Sequence, residues 1–203
     1  MPGEAISEDA AEVQLDRLPR GRHKLSREQV ETSQRERIMR AMAEAVGELG
    51  YVKTTVAEVL KRAGVSRETF YAQFDDKHDC FIAAFDRAAE EMISSVQSAF
   101  DESMEQGGDE EERVGLMLTR FLELLAAEPG FARTYYVEVY AAGQEAIEHR
   151  VEIQTSLVDI MLGVPEGTTK EFGELEKSCL QETGNIVASA FTNSLSSWLK
   201  LQT

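Results

Sequence analysis

Residues 55–77 contain two short helical patterns separated by one glycine, and this arrangement restricts the fold more than any other part of the sequence. In the first pattern, apolar residues recur at the spacing of one helix face, namely Val56, Val59, Leu60 and Ala63. Thr55, with Glu58 three residues later, predicts a capping box at the start of this helix. Gly64 predicts its end, because glycine adopts the left-handed conformation without a Cβ clash.

The second pattern begins at Ser66, whose hydroxyl is suited to cap a helix from Arg67 to about Phe74. Phe70 and Phe74 lie four residues apart, so we expect both to face inward and anchor this helix. The residues predicted to face outward are Arg67, Glu68, Thr69, Tyr71 and Gln73. A helix of two turns is not stable alone in water. Helix, tight turn and helix make a helix-turn-helix unit, and an exposed helix N-terminus suits the phosphate-lined major groove of DNA.

Positive charge is concentrated towards one end of an otherwise acidic chain. The formal net charge of the 203 residues is −16, yet residues 17–77 carry 13 Lys and Arg against 9 Asp and Glu. This asymmetry indicates that one end of the molecule meets a polyanion. The segment "RLPRGRHKLSREQV" contains Arg20 and Arg22. We interpret it either as a solvated linker or as a basic arm that enters a DNA minor groove.

The rest of the chain has helical periodicity and no strand pattern, so the predicted fold class is all-α. We predict a disordered acidic leader and basic arm over residues 1–32, then a three-helix helix-turn-helix domain over 33–78. A helical ligand-binding and dimerisation domain is predicted over 79–203. The expected helices run from Ser33 to Leu49, from Asp76 to about Phe100, from Val114 to Ala127, from Pro129 onward, after Gly143, and from about Glu174 to Leu201.

Composition excludes several classes of protein. No run of eighteen apolar residues predicts a membrane span, and the acidic N-terminus lacks the apolar core of a secretory signal. Cys80 and Cys179 match no metal-binding spacing, and they predict reduced thiols in a cytoplasmic protein. We predict no metal, no cofactor and no catalytic residue.

Residues 34–90 strongly resemble the DNA-binding domain of TetR-family transcriptional regulators. The features that carry the resemblance are Gly50-Tyr51, Thr54-Thr55-Val56, Ala63-Gly64-Val65-Ser66, Thr69-Phe70-Tyr71, Phe74 and Lys77. The resemblance implies a nine-helix homodimer whose first three helices bind a double-stranded DNA operator. It also implies that the C-terminal domain binds a small-molecule effector, and that the protein is a repressor acting on a palindromic operator.

The resemblance assigns roles to individual residues. Thr54 and Thr55 would start the positioning helix beside the phosphates, while Arg67 and Thr69 would face base edges with Glu68 nearby. Tyr71 would donate its hydroxyl to a phosphate, or pack as a half-buried ring on the first helix. Lys77 would reach the DNA backbone. The full set of predicted DNA-binding residues is Thr54, Thr55, Ser66, Arg67, Glu68, Thr69, Tyr71, Gln73, Lys77, Arg20 and Arg22.

The C-terminal segment has two interpretations. Residues 160–201 are similar to a fragment of the CheC-type chemotaxis phosphatases, a similarity that would make Glu182 and Asn185 the functional pair. The alternative interpretation is a dimerising helix pair, because an apolar helical stripe readily forms a dimer seam. The predicted seam residues are Ile186, Val187, Ala190, Phe191, Leu195 and Trp198.

Large apolar and aromatic residues of the second domain make up a candidate ligand pocket. They are Phe85, Met92, Met117, Phe121, Tyr135, Tyr136 and Tyr140. Two interpretations stay open, since such residues either line an apolar cavity or simply pack as a core.

Overall fold

The computed structural model describes residues 26–107 and 109–169, and within them the chain is built from helices. Their bounds are α1 Arg27–Leu49, α2 Val56–Ala63, α3 Arg67–Tyr71, α4 Lys77–Gln106, α5 Glu110–Ala127, α6 Pro129–Arg133, a π-helical segment Thr134–Glu138, α7 Val139–Ala142 and α8 Gln144–Leu162. The all-α prediction is confirmed. Among the described residues, no helix is both long and apolar enough to cross a membrane.

Helix α1 begins six residues before its predicted start. Ser26 is the N-cap, and its hydroxyl accepts a hydrogen bond from the Gln29 backbone N–H at 3.1 Å. The Gln29 side-chain oxygen accepts from the Ser26 backbone N–H at 2.8 Å and completes a capping box. The sequence "SREQ" carries this signal, but it lies inside the basic stretch "RLPRGRHKLSREQV", which the charge pattern predicts to be a linker or an arm.

Helices α2 and α3 form the helix-turn-helix, with two details that differ from the prediction. The Thr55 hydroxyl accepts from Glu58 N–H at 3.3 Å, but the Glu58 side chain pairs with Arg62, so only half of the predicted capping box forms. Helix α3 ends at Tyr71 rather than Phe74, so it is shorter than predicted. Gly64 has a φ of +64°, as expected for the left-handed residue that ends α2.

One continuous hydrophobic core joins the helix-turn-helix to the rest of the protein. It runs from Ile38 and Phe70 in the first domain to Met117 and Phe121 in the second. Helix α4 spans the distance between them, because its 30 residues extend for about 45 Å at 1.5 Å per residue. Helix α4 therefore belongs to both parts of the core.

The helical chain is interrupted twice between α5 and α8, at Glu128 and at Gly143. Pro129 occupies the first position of α6, where its missing N–H removes no helical hydrogen bond. The π-helical segment follows directly, and Gly143, at a φ of +111°, separates α7 from α8. Beyond α8, the buried Asp159 carboxylate accepts the backbone N–H groups of Gly167, Thr168 and Thr169 at 2.8–3.2 Å. Asp159 thus holds the loop that leads out of α8.

Candidate nucleic-acid interface

Helix α3 is held from below by two phenylalanines and presents its other side to solvent. Phe70 and Phe74 are buried, which confirms the sequence prediction, and their ring centroids lie 5.7 Å apart. The Ser66 hydroxyl accepts from Thr69 N–H at 3.0 Å and caps the helix. Arg67, Glu68 and Tyr71 are exposed. Two anchors and one cap therefore fix a five-residue helix that could not persist alone.

Arg67 and Tyr71 form a pair on the exposed face of α3. The Arg67 guanidinium carbon lies 5.3 Å from the Tyr71 ring centroid, and one of its nitrogens lies 3.4 Å from the Tyr71 hydroxyl. Tyr71 is 44% exposed and also makes an edge contact with the Phe70 ring at 5.3 Å. The Tyr71 ring therefore packs on Phe70 while its hydroxyl lies beside Arg67, and donation of that hydroxyl to a DNA phosphate stays a prediction.

The other residues predicted to face DNA, in α3 and just after it, already make hydrogen bonds within the helix-turn-helix. The Thr69 hydroxyl lies 2.9 Å from that of Ser66, so the two share a hydrogen bond beside the cap. The Gln73 carbonyl accepts from Arg35 at 2.8 Å, while no described group binds the Gln73 side chain. Contact of Ser66 or Thr69 with DNA would have to compete with the cap.

Thr54 does not present a group to DNA, contrary to the sequence prediction. It is 1% exposed, and its hydroxyl donates to the Gly50 carbonyl at 2.9 Å. The Thr54 backbone N–H donates to the same carbonyl. Thr54 therefore closes the turn between α1 and α2, whereas its neighbour Thr55 is exposed at the start of α2. A β-branched residue with a small polar tip suits either position, so sequence alone did not separate their roles.

Lys77 lies at the junction of the helix-turn-helix and α4. Its ammonium donates to the Tyr51 carbonyl at 3.0 Å and lies 3.9 Å from the centroid of the Tyr51 ring. Partial burial lowers the pKa of the Lys77 ammonium. An ammonium has three donors, so two stay available for a DNA phosphate.

Two arginines of α1 hold the helix-turn-helix together. No local pattern in the sequence predicts these contacts, because their partners lie far along the chain. Arg37 donates to the Ala63 and Gly64 carbonyls at the end of α2. Arg35 donates to Gln73 and its guanidinium lies 4.3 Å from the Phe74 ring centroid. Both side chains count among the basic residues that we took as the attraction for a polyanion. Part of that positive charge is therefore used inside the domain.

Several predicted residues lie outside the part of the chain that the structure describes. These are Arg20 and Arg22 of the basic arm, the pair Glu182 and Asn185, and the six seam residues Ile186, Val187, Ala190, Phe191, Leu195 and Trp198. Their roles stay predictions. Within residues 26–107 and 109–169, no group of three or more His, Cys, Asp or Glu side chains is arranged to hold a metal ion.

The family model of the tetR-type bacterial regulatory proteins matches residues 38–84, a range that contains α2, α3 and the adjoining parts of α1 and α4. Residues 38–84 therefore form a DNA-binding domain of the TetR type. The chain is 25% identical over 127 residues to the fatty acid metabolism regulator protein of Bacillus subtilis strain 168, a match that spans 63% of each chain.

Two further proteins extend the comparison. The nucleoid occlusion factor SlmA of Vibrio cholerae is 27% identical over 135 residues, which cover 64% of this chain and 67% of that protein. The crystal structure of Bacillus subtilis FadR in complex with stearoyl-CoA superimposes with a TM-score of 0.60 at 23% identity, covering 79% of this chain and 88% of that one. That structural likeness concerns the fold.

Five of the seven predicted ligand-pocket residues lie in the buried core. Phe85, Met92, Met117, Phe121 and Tyr135 are buried within the continuous core. Burial raises the pKa of the Tyr135 hydroxyl well above its usual range. The helical spacing of these large apolar residues predicted their burial correctly. Such spacing does not distinguish a packed interior from the wall of a cavity.

Tyr136 and Tyr140 lie at the surface of the described part of the chain. They are 40% and 55% exposed. Their rings flank Arg150, whose guanidinium carbon lies 5.9 Å from the Tyr136 centroid and 5.7 Å from the Tyr140 centroid. Arg150 also donates to the Tyr135 carbonyl at 3.0 Å. This cluster joins the π-helical segment and α7 to α8.

A cavity of about 1060 Å³ lies elsewhere, between α1, α4 and the corner where α5 meets α6. Of the predicted pocket residues only Phe85 lines it. Its α1 wall includes Met39 and Glu44, and its α6 wall includes Phe131. The cavity therefore separates the first helix of the DNA-binding domain from the regulatory domain, and we call it the interdomain cavity.

One carboxylate fastens the two domains beside this cavity. Glu138, at the end of the π-helical segment, accepts from the Tyr51 backbone N–H at 2.8 Å and from two Arg133 nitrogens at 2.7 and 3.0 Å. Arg133 also donates to the Gly47 and Glu48 carbonyls at the end of α1. Gly47 and Gly130 meet so closely that a Cβ on Gly47 would lie 2.9 Å from the Gly130 Cα. We call these contacts the domain clasp.

Proposed function

We propose that this protein is a ligand-responsive repressor that acts as a homodimer on a palindromic DNA operator. The observation that carries the proposal is the exposed face of α3, on which Arg67, Glu68 and Tyr71 stand over two buried phenylalanine anchors. A helix this short contributes little to folding by itself. Its fixed position and its polar outer face suit a role in the DNA major groove.

The exposed residues divide into two kinds of DNA contact. Arg67 reads sequence, since a guanidinium can donate two parallel hydrogen bonds to guanine, a contact worth about 1–3 kcal/mol of discrimination. Thr55, Tyr71 and Lys77 bind phosphates, which set the register of the protein on the duplex without selecting sequence. Release of Arg67 from the Tyr71 ring frees both groups for DNA at the same time.

Dimerisation supplies the second half of the operator contact. Two α3 helices would enter successive major grooves about 34–36 Å apart. The predicted seam between Ile186 and Trp198 would set this distance. One copy alone buries too little surface on DNA for tight binding.

A small-molecule effector would act through α4 and the domain clasp. The effector shifts the balance between a DNA-binding spacing and a wider one only to the extent that it binds one of them more tightly. The solved relative that carries stearoyl-CoA makes a long-chain acyl thioester the first effector to test. The clasp supports this coupling because it joins Tyr51 of the DNA-binding domain directly to Glu138 of the regulatory domain.

The function is tested by selecting bound fragments from the source genome and measuring affinity for them by fluorescence anisotropy. Arg67→Ala should lower affinity for the selected fragment by about 5- to 100-fold, in line with the discrimination expected of a bidentate contact, and should bring it close to that for random DNA. Tyr71→Phe should weaken binding to both kinds of DNA alike. Arg120→Ala removes an exposed arginine from α5 and should change neither affinity.

Two outcomes would contradict the proposal. If the purified dimer showed no preference among genomic fragments, sequence-specific repression would be wrong. If Arg67→Ala and Arg120→Ala weakened selected and random DNA equally, the assignment of α3 as the sequence reader would be wrong. Addition of stearoyl-CoA to the bound complex tests the effector class, with stearate and coenzyme A as separate controls.

A further inference from the structure

Lys77 is held by Tyr51 at the place where the helix-turn-helix meets α4. Its ammonium donates to the Tyr51 carbonyl at 3.0 Å and lies 3.9 Å from the centroid of the same residue's ring. Lys77 is the first residue of α4, where the partial positive charge of a helix N-terminus disfavours a cation. The carbonyl oxygen and the face of the ring are both negative and offset that repulsion. Tyr51 therefore holds this ammonium from two sides.

The backbone of Tyr51 is held in turn by the regulatory domain. Its N–H donates at 2.8 Å to the Glu138 carboxylate, which is 7% exposed and also accepts from Arg133. Tyr51 thus gives its N–H to the domain clasp and its carbonyl to Lys77. Only one residue therefore separates the clasp from the ammonium that is proposed to bind a phosphate.

A second connection to the regulatory domain runs through the Tyr51 hydroxyl. The hydroxyl lies 3.2 Å from Nδ1 of His78, and Nε2 of the same ring lies 3.0 Å from the Glu145 carboxylate in the first turn of α8. A carboxylate can only accept, so Nε2 donates to Glu145, and Nδ1 of the neutral ring accepts from the hydroxyl. With Lys77 on its carbonyl and Glu138 on its N–H, Tyr51 has a partner for each of its three polar groups.

A lysine that is already held binds a phosphate at a lower entropic cost. A free lysine side chain has many rotamers, and ordering it costs more than ordering most other side chains. A contact that restricts those rotamers before binding strengthens the complex without adding any contact to the ligand. Tyr51 uses one of the three ammonium donors of Lys77, so the others remain for a phosphate.

We propose that Tyr51 is the positioning residue for Lys77, and that two carboxylates of the regulatory domain hold Tyr51 where this lysine reaches a DNA phosphate. The carboxylates are those of Glu138, which acts directly, and Glu145, which acts through His78. This role rests on the proposed binding of DNA by Lys77. Both carboxylates then contribute to DNA affinity, although their charge is opposite to that of a group that binds a phosphate.

A double-mutant cycle distinguishes positioning from a general loss of structure. Affinities of the full-length protein for the selected genomic fragment and for random DNA are measured by fluorescence anisotropy. Tyr51→Leu should weaken binding of both DNAs by about 3- to 10-fold when Lys77 is present, and by less than about twofold in the Lys77→Ala background. Glu138→Ala should show the same dependence on Lys77. Phe100→Leu removes a partly buried ring beside Arg113, towards the other end of α4, and should change neither affinity.

Three results would overturn the proposal. Equal losses from Tyr51→Leu in the two backgrounds would mean that Tyr51 supports the fold in general, and the proposed function would stand. An unchanged salt dependence in Lys77→Ala would exclude the phosphate contact, because one lost contact in each protomer should reduce the salt slope by about one per contact. Absence of DNA binding by the unaltered protein would refute the proposed function together with this role.

The connection through His78 is tested with two glutamates from the same helix. Glu145→Ala and Glu148→Ala each remove one exposed negative charge from α8, so they relieve the repulsion of DNA to a similar extent. Of the two, only Glu145 binds His78, and its loss should weaken DNA binding by about 2- to 5-fold relative to Glu148→Ala. Equal affinities of the two variants would overturn the assignment of Glu145. If Tyr51→Leu does not fold, this comparison decides the proposal.

Discussion

Two buried hydroxyls in the DNA-binding domain differ in their hydrogen bonding, and this difference decides what each contributes to the free energy of unfolding. The Ser33 hydroxyl is buried in a residue that is 5% exposed, and it has no hydrogen-bond partner among residues 26–107 and 109–169. The Thr54 hydroxyl is equally buried but donates to the Gly50 carbonyl at 2.9 Å. A buried hydroxyl without a partner costs about 1–3 kcal/mol, whereas a satisfied one contributes about 1 kcal/mol.

Removal of these two hydroxyls should therefore have opposite effects. Ser33→Ala is expected to raise the free energy of unfolding by about 0.5–1.5 kcal/mol, because it removes an unsatisfied group from a helix. Thr54→Val preserves shape and should lower it by about 1 kcal/mol. Urea unfolding followed by circular dichroism measures both. A loss of stability in Ser33→Ala would mean that its hydroxyl has a partner after all.

At the scale of the elements, α1 and α6 can cross closely because the two residues that meet there are glycines, which have no side chain. Gly47 and Gly130 face each other, and the clearance leaves no room for a Cβ on Gly47. The domain clasp can only form at this distance, since Arg133 must reach the Gly47 and Glu48 carbonyls from α6. The polar contacts that fasten the domains therefore require the two backbones to pack closely.

Gly47→Ala should separate α1 from α6. We expect a loss of about 1–3 kcal/mol in the free energy of unfolding, since the added methyl meets backbone and not a flexible side chain. Gly115→Ala is the control, because its Cβ would project into open space on α5. That change should stabilise the protein by about 0.5–1 kcal/mol, as alanine favours a helix over glycine. Equal effects of the two substitutions in thermal unfolding would refute the close crossing.

Sequence reasoning succeeded mainly where a signal and its partner lie close together in the chain, although it missed the capping box of Ser26 and Gln29. The caps at Thr55 and Ser66 and the anchors Phe70 and Phe74 were all found, because each involves residues within four positions. It failed where partners are distant. Arg35 binds a carbonyl 38 positions away, and Tyr51 binds Glu138 across 87 positions. Nothing local distinguishes such an arginine or glutamate from an exposed one.

The cavity was missed for a related reason. Helical periodicity identifies the buried side of each helix, and the buried residues Met92, Met117 and Phe121 were found in this way. Whether buried faces meet or leave a gap depends on how whole helices are arranged. The interdomain cavity lies between three elements that are far apart in sequence, so no single stretch could reveal it.

At the scale of the whole molecule, positive charge is concentrated in one part of the sequence. Residues 17–77 carry a positive excess within a chain of net charge −16. The acidic remainder repels DNA and favours one orientation of approach. Two copies joined at their C-terminal segments would present both positive ends to the same duplex.

The seam prediction is tested with Trp198→Ala. The loss of one central aromatic residue at an interface typically costs about 2 kcal/mol or more, so the dimer dissociation constant should rise about 30-fold or more. Sedimentation velocity measures this, and operator affinity should fall in parallel at low protein concentration. Met104→Ala removes an exposed apolar side chain from α4 and should leave the dimer intact. An unchanged dimer in Trp198→Ala would exclude residues 186–198 as the seam.

The π-helical segment determines which way Glu138 faces. A π turn accommodates one residue more than an α turn, in a wider ring. If Thr134–Glu138 wound as ordinary α-helix instead, the extra residue would rotate everything after it by about 100°. The Glu138 carboxylate would then turn away from Tyr51, although every side chain of the clasp would still be present. The shape of this one turn, and not only its side chains, therefore keeps the two halves of the molecule joined.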